Sequence, residues 1–262
     1  MFDQTKLLNH LNREEDRILA SHILDKCAQV LKYHKTQASD FLNPYQMKIA
    51  IPLVEQLADI NFKKEGGYQA AERKRLVVFP EYLFPDLVEK QIKIYQLAGN
   101  FAFQKLSHRD FLGALMGLGL KRKLIGDLLV HTDFAQIIVA AEIEDIIELK
   151  LEKVHQVPIK IKEIDESQLV SPTRYEKEIL TTVASMRLDA VASSGFGDSR
   201  TKMARDIESE KVKLNWKVET DPAAEVEIGD LISVRGRGRV KVETNRGLSN
   251  KGRVKLTLKR LT

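Results

Sequence analysis

Residues 186–218, MRLDAVASSGFGDSRTKMARDIESEKVKLNWKV, decide how the rest of the chain is read. Leu188, Val191 and Ala192 recur at helical spacing and form the buried face of a short helix, which Gly195 and Gly197 break. Ser199 stands where an N-cap belongs, so a second helix is expected from Arg200 to about Glu210. On a wheel of about 100° per residue, Met203, Ala204 and Ile207 face the core and leave Lys202 and Arg205 in solvent. Arg200 falls in the first turn, beside exposed backbone N–H groups. Two short helices meeting at a tight turn, with donors and cations at the second N-terminus, make a reasonable phosphate site.

Clean alternation follows. Val212, Leu214, Trp216 and Val218 point one way, and Lys211, Lys213, Asn215 and Lys217 the other. Residues 231–242 repeat the design: Ile232, Val234, Val240 and Val242 share an apolar face with Gly236 and Gly238, opposite Arg235, Arg237, Arg239 and Lys241. Val254, Leu256 and Leu258 alternate with Arg253, Lys255 and Lys259. If the helices pack through Met203, Ile207, Val212 and Leu214, the charges of helix and strands are expected to converge on one rim. Lys and Arg aimed at phosphates need shape and charge rather than base reading.

Arg187, Leu188 and Asp189, then Ser199 and Arg200, then Ala204, Ile207, Val212 and Asn215, then Gly229, Asp230, Leu231 and Ile232 fall in a characteristic order and spacing. This pattern resembles the S-four RNA-binding domain, named for a small-subunit ribosomal protein, over residues 187–243. That family usually has glycine at the positions of Glu210 and Trp216, and neither is glycine here. Gly195, Phe196 and Gly197, the Asn215–Trp216 pair and the Arg/Gly run at 235–239 resemble the YlmH family of bacterial proteins. The upstream region is similar to that family over nearly its whole length. The resemblance implies a ribosome-associated RNA-binding protein, encoded near cell-division genes in Gram-positive bacteria. It further implies a link to rescue of obstructed large ribosomal subunits carrying peptidyl-tRNA. The expected partners are structured RNA (ribosomal RNA, tRNA) and the large ribosomal subunit, with no membrane and no preference for DNA. The expected RNA-binding residues are Arg187, Ser199, Arg200, Lys202, Arg205, Lys211, Lys213, Asn215, Lys217, Arg235, Arg237, Arg239, Lys241 and Arg253.

Charge distribution agrees. The chain of 262 residues carries a net +5, yet residues 231–262 hold ten basic side chains against the single acid Glu243, a net +9 that leaves −4 for residues 1–230. An acidic body with a concentrated basic end suggests a polyanion-binding module joined to something else. With 43% hydrophobic and 30% charged residues, disorder is excluded and a globular chain of about two domains is expected. The single cysteine, Cys27, excludes an internal disulfide, and no CxxC or Cys/His cluster could hold zinc. The N-terminus lacks a signal-peptide apolar region and no run nears the roughly 18 apolar residues of a membrane span, so a soluble cytoplasmic protein is expected.

The organisation expected is α+β. Residues 1–74 read as a helical N-terminal domain, with Leu19, Ile23, Cys27, Val30 and Leu31 on one helical face and a second helix from Pro44 to about Ile60. Gly66 and Gly67 mark a break. Residues 75–165 change period: strands at 76–79 and 92–97, a helix begun by Ser107, a hairpin of 128–131 with 136–139, a helix at 142–154 and a strand at 157–164. That order predicts a ferredoxin-like, RNA-recognition-like middle domain, although the aromatic RNA-stacking signature of such modules is missing from these strands. Residues 166–185 form a connector with a possible strand or strand pair over 174–184, and 186–262 the S-four-type αβ domain.

Enzyme signatures are missing. No GxGxxG, GxxxxGK[ST] or GxSxG occurs, and Ser199 is better explained as a helix cap than as a nucleophile. His10, His22, His34, His108, His131 and His155 form no metal-ligand pattern, and Glu142, Glu144 and Asp145 fit the start of a helix. Phe101 and Phe103 fit core or loop packing better than base stacking. No catalytic residue, metal or cofactor is therefore expected. The alternative is an RNA-modifying enzyme whose catalytic domain is residues 1–185 and whose S-four domain is a targeting module.

Overall fold

The computed structural model describes residues 4–101, 105–171 and 176–261. They form two compact units, Met1–Pro172 and Thr173–Thr262. The first begins with α1 (Gln4–Leu8), α2 (Glu14–Tyr33), β1 (Gln37–Leu42), α3 (Pro44–Glu55), β2 (Ile60–Glu65) and β3 (Lys74–Pro80). Helix α2 buries Ile23, Cys27 and Val30 and ends at His34, whose φ of 54° lets its N–H reach the Val30 carbonyl. Asn43 and Gln46 form a reciprocal capping box at the start of α3, with Pro44 in the first turn.

Helices stand where the sequence places them, but β1 and β2 occupy ground that reads as helix or loop, and α3 stops at Glu55 rather than near Ile60. Strand β1 buries Ala38, Ser39, Phe41 and Leu42, so it lacks the alternation that marks a one-sided strand. Strand β3 lies between β1 and β2 in an antiparallel sheet. Its apolar run therefore belongs to this sheet and not to the ferredoxin-like layer.

That layer is built from β4 (Ile92–Gly99), α4 (His108–Gly117), β5 (Ile125–Val130), β6 (Phe134–Ala140), α5 (Glu144–Lys150), β7 (Lys153–Val154) and β8 (Val157–Glu163). The strand order β5-β6-β4-β8, antiparallel throughout, is that of a ferredoxin-like sheet, with β7 added beside β8. Helix α5 is shorter than the 142–154 expected, because a 3-10 turn at Ala141–Ile143 precedes it and β7 follows. Phe111, Leu115 and Ile147 of the helices pack with Tyr95, Leu97, Ile137 and Val139 of the sheet. A second cluster joins Ile92, Ile94 and Ile138 to Phe41, Tyr68 and Leu169.

The second unit comprises β9 (Glu176–Val183), α6 (Leu188–Phe196), α7 (Arg200–Glu208), β10 (Val212–Leu214), β11 (Lys217–Val218), β12 (Leu231–Val234), β13 (Gly238–Leu248) and β14 (Val254–Leu261). Its antiparallel sheet runs β11-β10-β12-β13-β14-β9. Leu188, Val191, Met203 and Ile207 pack the two helices on one face, against Val212, Ile232, Val240 and Leu258. Gly195 lies inside α6 rather than ending it. A Cβ there would sit 2.8 Å from Cγ1 of Val240, so its role is close helix–sheet approach, while Gly197 (φ 69°) ends the helix.

Gly195→Ala should therefore destabilise the second unit by about 1–3 kcal/mol through overpacking. Thermal unfolding of the full chain checks this: the transition of residues 173–262 should move down and that of the first unit should not. An unchanged transition would show that the helix and sheet are not held at this separation.

Candidate nucleic-acid interface

The interface starts from two carboxylates at the ends of α6. Asp189, in its first turn and only 6% exposed, accepts Nε of Arg187 (3.2 Å) and the guanidinium of Arg200 (2.7 Å). Burial opposes its ionisation, but the hydrogen bonds and charges of Arg187 and Arg200 prevail and hold its carboxyl below the usual range. Asp198, between the helices, accepts Lys202 Nζ at 3.0 Å and the guanidinium of Arg237. Those two cations keep its pKa low as well. Ser199 caps α7 as expected, its hydroxyl oxygen accepting the Lys202 N–H at 3.2 Å. Arg187, Arg200 and Lys202 remain about half exposed or more, at 45%, 50% and 61%. Their partners fix their positions without covering them. Lys211 reaches back to Asp206 (2.8 Å), and Arg205 is exposed with no acidic partner among the described residues.

The expected single rim divides in two. The helices cover the apolar face of the sheet, so Lys213 and Arg239, cross-strand neighbours of Ser233, stand on the other face with Lys241. Residues 235–237 are a turn, not strand. Arg235 is exposed at its start. Arg237 leaves the expected face altogether: besides Asp198 it donates to the Phe196 carbonyl (3.0 Å), and its guanidinium lies 5.4 Å from the Phe196 ring, as does that of Arg260. Further cations of the basic end are engaged within the unit: Lys241 with Glu243 (2.9 Å), Lys259 with Glu176 (3.2 Å) and Arg253 with the Thr182 carbonyl (2.8 Å).

The stretch 211–218 is likewise not one strand. Leu214 pairs with Lys217 across a two-residue turn in which Asn215 and Trp216 both have positive φ, 50° and 67°. This is the pattern of a type I′ hairpin turn, for which Asn-Gly is the usual sequence. Asn215 belongs to the framework: its amide nitrogen donates to Asp230 (2.7 Å) and its amide oxygen accepts the Leu231 N–H (3.0 Å). Glu210, the other position where a glycine was expected, has φ 60°. The left-handed geometry is thus kept without the glycines. Asp189 and Asp198 as organisers, and Phe196 as a seat for two guanidiniums, were not singled out from sequence as parts of the site. An acid beside the apolar residues of a short helix was the available signal for Asp189.

In the first unit Phe101 is buried and packs edge-on to Phe111, and Phe103 lies outside the described residues. On the sheet face that RNA-recognition modules use for stacking, Ile92, Ile94 and Ile138 are covered by Phe41, Tyr68 and Leu169, and Gln136 is buried beneath the Gln168 carbonyl and the Val170 N–H, whereas Ala98, Lys160 and Lys162 on the same face are exposed. Glu144, Glu148 and Glu163 lie close together, but Lys93 sits among them, 2.7 Å from Glu144 and 2.9 Å from Glu163. Among the described residues no helix is long and apolar enough to cross a membrane.

A capped helix pair on an antiparallel sheet, with cations gathered at the second helix, defines the S4 class of RNA-binding domain, and the S4 domain family matches residues 186–232. The families described as "YlmH, N-terminal" and "Putative RNA-binding domain in YlmH" match residues 15–83 and 85–168. The chain is 34% identical, over 95% of its length and 96% of the relative's, to "Ribosome-associated protein quality control protein P2" of Bacillus subtilis. The chain belongs to the YlmH family. "Cell division protein ylmH from Streptococcus pneumoniae" shares the fold, with a TM-score of 0.52 at 24% identity over 61% of this chain and 96% of that one.

The low Asp189 pKa sets an acid limit. A carboxylate with a depressed folded-state pKa contributes its stability above the ordinary value and loses it as pH falls through the folded value. The second unit should therefore lose stability below about pH 4, near the ordinary carboxylate pKa. Asp189→Asn should flatten that decline while lowering stability at neutral pH. Melting temperatures measured from neutral to acid pH decide it, and an equally steep acid limb in the variant would remove Asp189 from this role.

Proposed function

We propose that this protein is a non-catalytic factor that binds structured RNA on the ribosome, ribosomal RNA or tRNA of the large subunit, in ribosome-associated quality control. It would act in the cytoplasm. The observation that carries this reading is the cluster of Arg187, Arg200 and Lys202 held by Asp189 and Asp198 at the junction of α6 and α7. Cations fixed in place but left exposed, beside the free N–H groups of a capped helix, suit phosphate oxygens at defined spacing. The name of the Bacillus subtilis relative supports the ribosomal setting. The covered centre of the ferredoxin-like sheet, at Ile94, Gln136 and Ile138, favours the second unit as the principal RNA contact.

In this reading Ser199 shapes the site as a cap, Asn215 and Arg237 hold the framework, and Arg200, Lys202 and Arg205 meet RNA from the helix side. Lys213, Arg239 and Lys241 occupy the opposite face of the sheet and would meet a different part of a large RNA, if any.

Affinity for purified large subunits or bulk tRNA, measured against salt concentration, separates the two faces. Arg200→Ala with Lys202→Ala should weaken binding and lower the salt slope by about 1.4–1.8 for two lost phosphate contacts. Arg187 remains on Asp189 and Arg237 on Asp198, so melting should show a folded unit of reduced stability. A folded double variant with unchanged affinity and slope, alongside a weakened Lys213→Ala/Arg239→Ala pair, would move the RNA to the open face of the sheet.

A further inference from the structure

We propose that Trp216 is a stacking platform for an unpaired base of the RNA bound by the second unit, an inference that rests on the RNA-binding reading above. Trp216 is the only tryptophan of the chain. It occupies the second position of the β10–β11 turn at φ 67°. There a glycine is free of steric cost, whereas an L side chain is disfavoured by roughly 5- to 30-fold. The residues packed in the unit's core do not include it, although it is half-buried. Its indole makes no hydrogen bond, ring contact or cation–π contact with the described residues. Neither core packing nor turn preference accounts for a tryptophan at this place.

What surrounds it does. Asn215 anchors the turn through Asp230 and through both backbone groups of Leu231, so the indole is presented on a fixed support. Lys213 and Lys217 flank the turn and pair with no carboxylate among the described residues. Their cross-strand partners, Val218 and Leu214, put the two lysines on opposite faces of the hairpin, so each face of the turn has one cation. An aromatic side chain with an unpaired cation near the same turn can grip an unstacked base and its phosphate. Phe196, the other aromatic side chain in the described part of this unit, is buried beneath Arg237 and Arg260 and is not available.

The test uses the full chain, an RNA hairpin with an unpaired loop, the matching fully paired duplex, and purified large subunits. Because the chain has one tryptophan, its fluorescence reports on position 216 alone. The hairpin should quench it and the duplex should not. Trp216→Gly should bind the hairpin about 5- to 150-fold more weakly, the usual range for one base–aromatic stack. Its salt slope should be unchanged because no phosphate contact is lost, its melting temperature should hold or rise, and Trp216→Phe should recover most of the affinity. Unaltered hairpin affinity in Trp216→Gly, or unquenched fluorescence in a complex that does form, would overturn the proposal. Weakened binding to large subunits with normal binding to the hairpin would also overturn it, by assigning Trp216 to a protein contact. A wild-type chain that binds neither RNA nor subunits would instead overturn the RNA-binding reading on which it rests.

Discussion

The Asp189 carboxylate is the constraint on which the second unit turns. It sits in the first turn of a helix whose neighbours are almost all buried, and it stays ionised because Arg187 and Arg200 both reach it. A buried carboxylate left without its cations would carry a desolvation cost of several kcal/mol, so the two arginines are bound to this place by the fold itself. Arg187 precedes α6 and Arg200 opens α7, so the same interaction ties the two helices together. Asp198 repeats the arrangement at the other end of α6 with Lys202 and Arg237. Acid residues thus build a basic surface here, by lowering the freedom of the cations that RNA would otherwise have to order on binding.

Seen this way, the basic end of the chain is not a uniform cloud. Arg237 and Arg260 lie on Phe196, Arg253 is bonded to Thr182, and Lys241 and Lys259 are paired with acids. Beside the anchored cations of the helix junction, Arg205 on α7, Arg235 in the 235–237 turn and Lys213 on the other face of the sheet are exposed with no carboxylate partner among the described residues. The first unit reaches its stability differently: Arg75, 3% exposed on β3, donates to the Ser39 and Gln91 carbonyls and grips Glu142 at 2.5 and 2.8 Å, joining its two sheets. That union covers Ile92, Ile94 and Ile138 on the face of the ferredoxin-like sheet opposite its helices.

Several of these features were legible in residues 186–218. The apolar spacing of Leu188, Val191, Met203 and Ile207 and the cap at Ser199 determine the helix pair, because each is a local signal. The β4–β8 layer was legible for the same reason, through runs that alternate or end in caps. Strand β1 is hidden because burial on both faces erases alternation, and the sheet that β3 joins is not legible because partner choice is not a local property. The Asn215–Trp216 turn was hidden because Trp stands where the turn's geometry calls for Gly, so the stretch reads as unbroken alternation. The two-sided placement of charge follows from the helices covering the apolar face of the sheet, which leaves Lys213, Arg239 and Lys241 opposite them, and the turn at 235–237 takes Arg237 out of that row.

Whether carboxylates organise these cations is decided by the variant Asp189→Asn/Asp198→Asn. Removing two negative charges raises the net charge of the unit by two, so simple attraction to RNA would tighten binding. Organised cations require the opposite: the double variant, shown to be folded by its melting, should bind large ribosomal subunits more weakly than the wild type at the same salt concentration. Equal or tighter binding would mean that the carboxylates do not organise the cations for RNA.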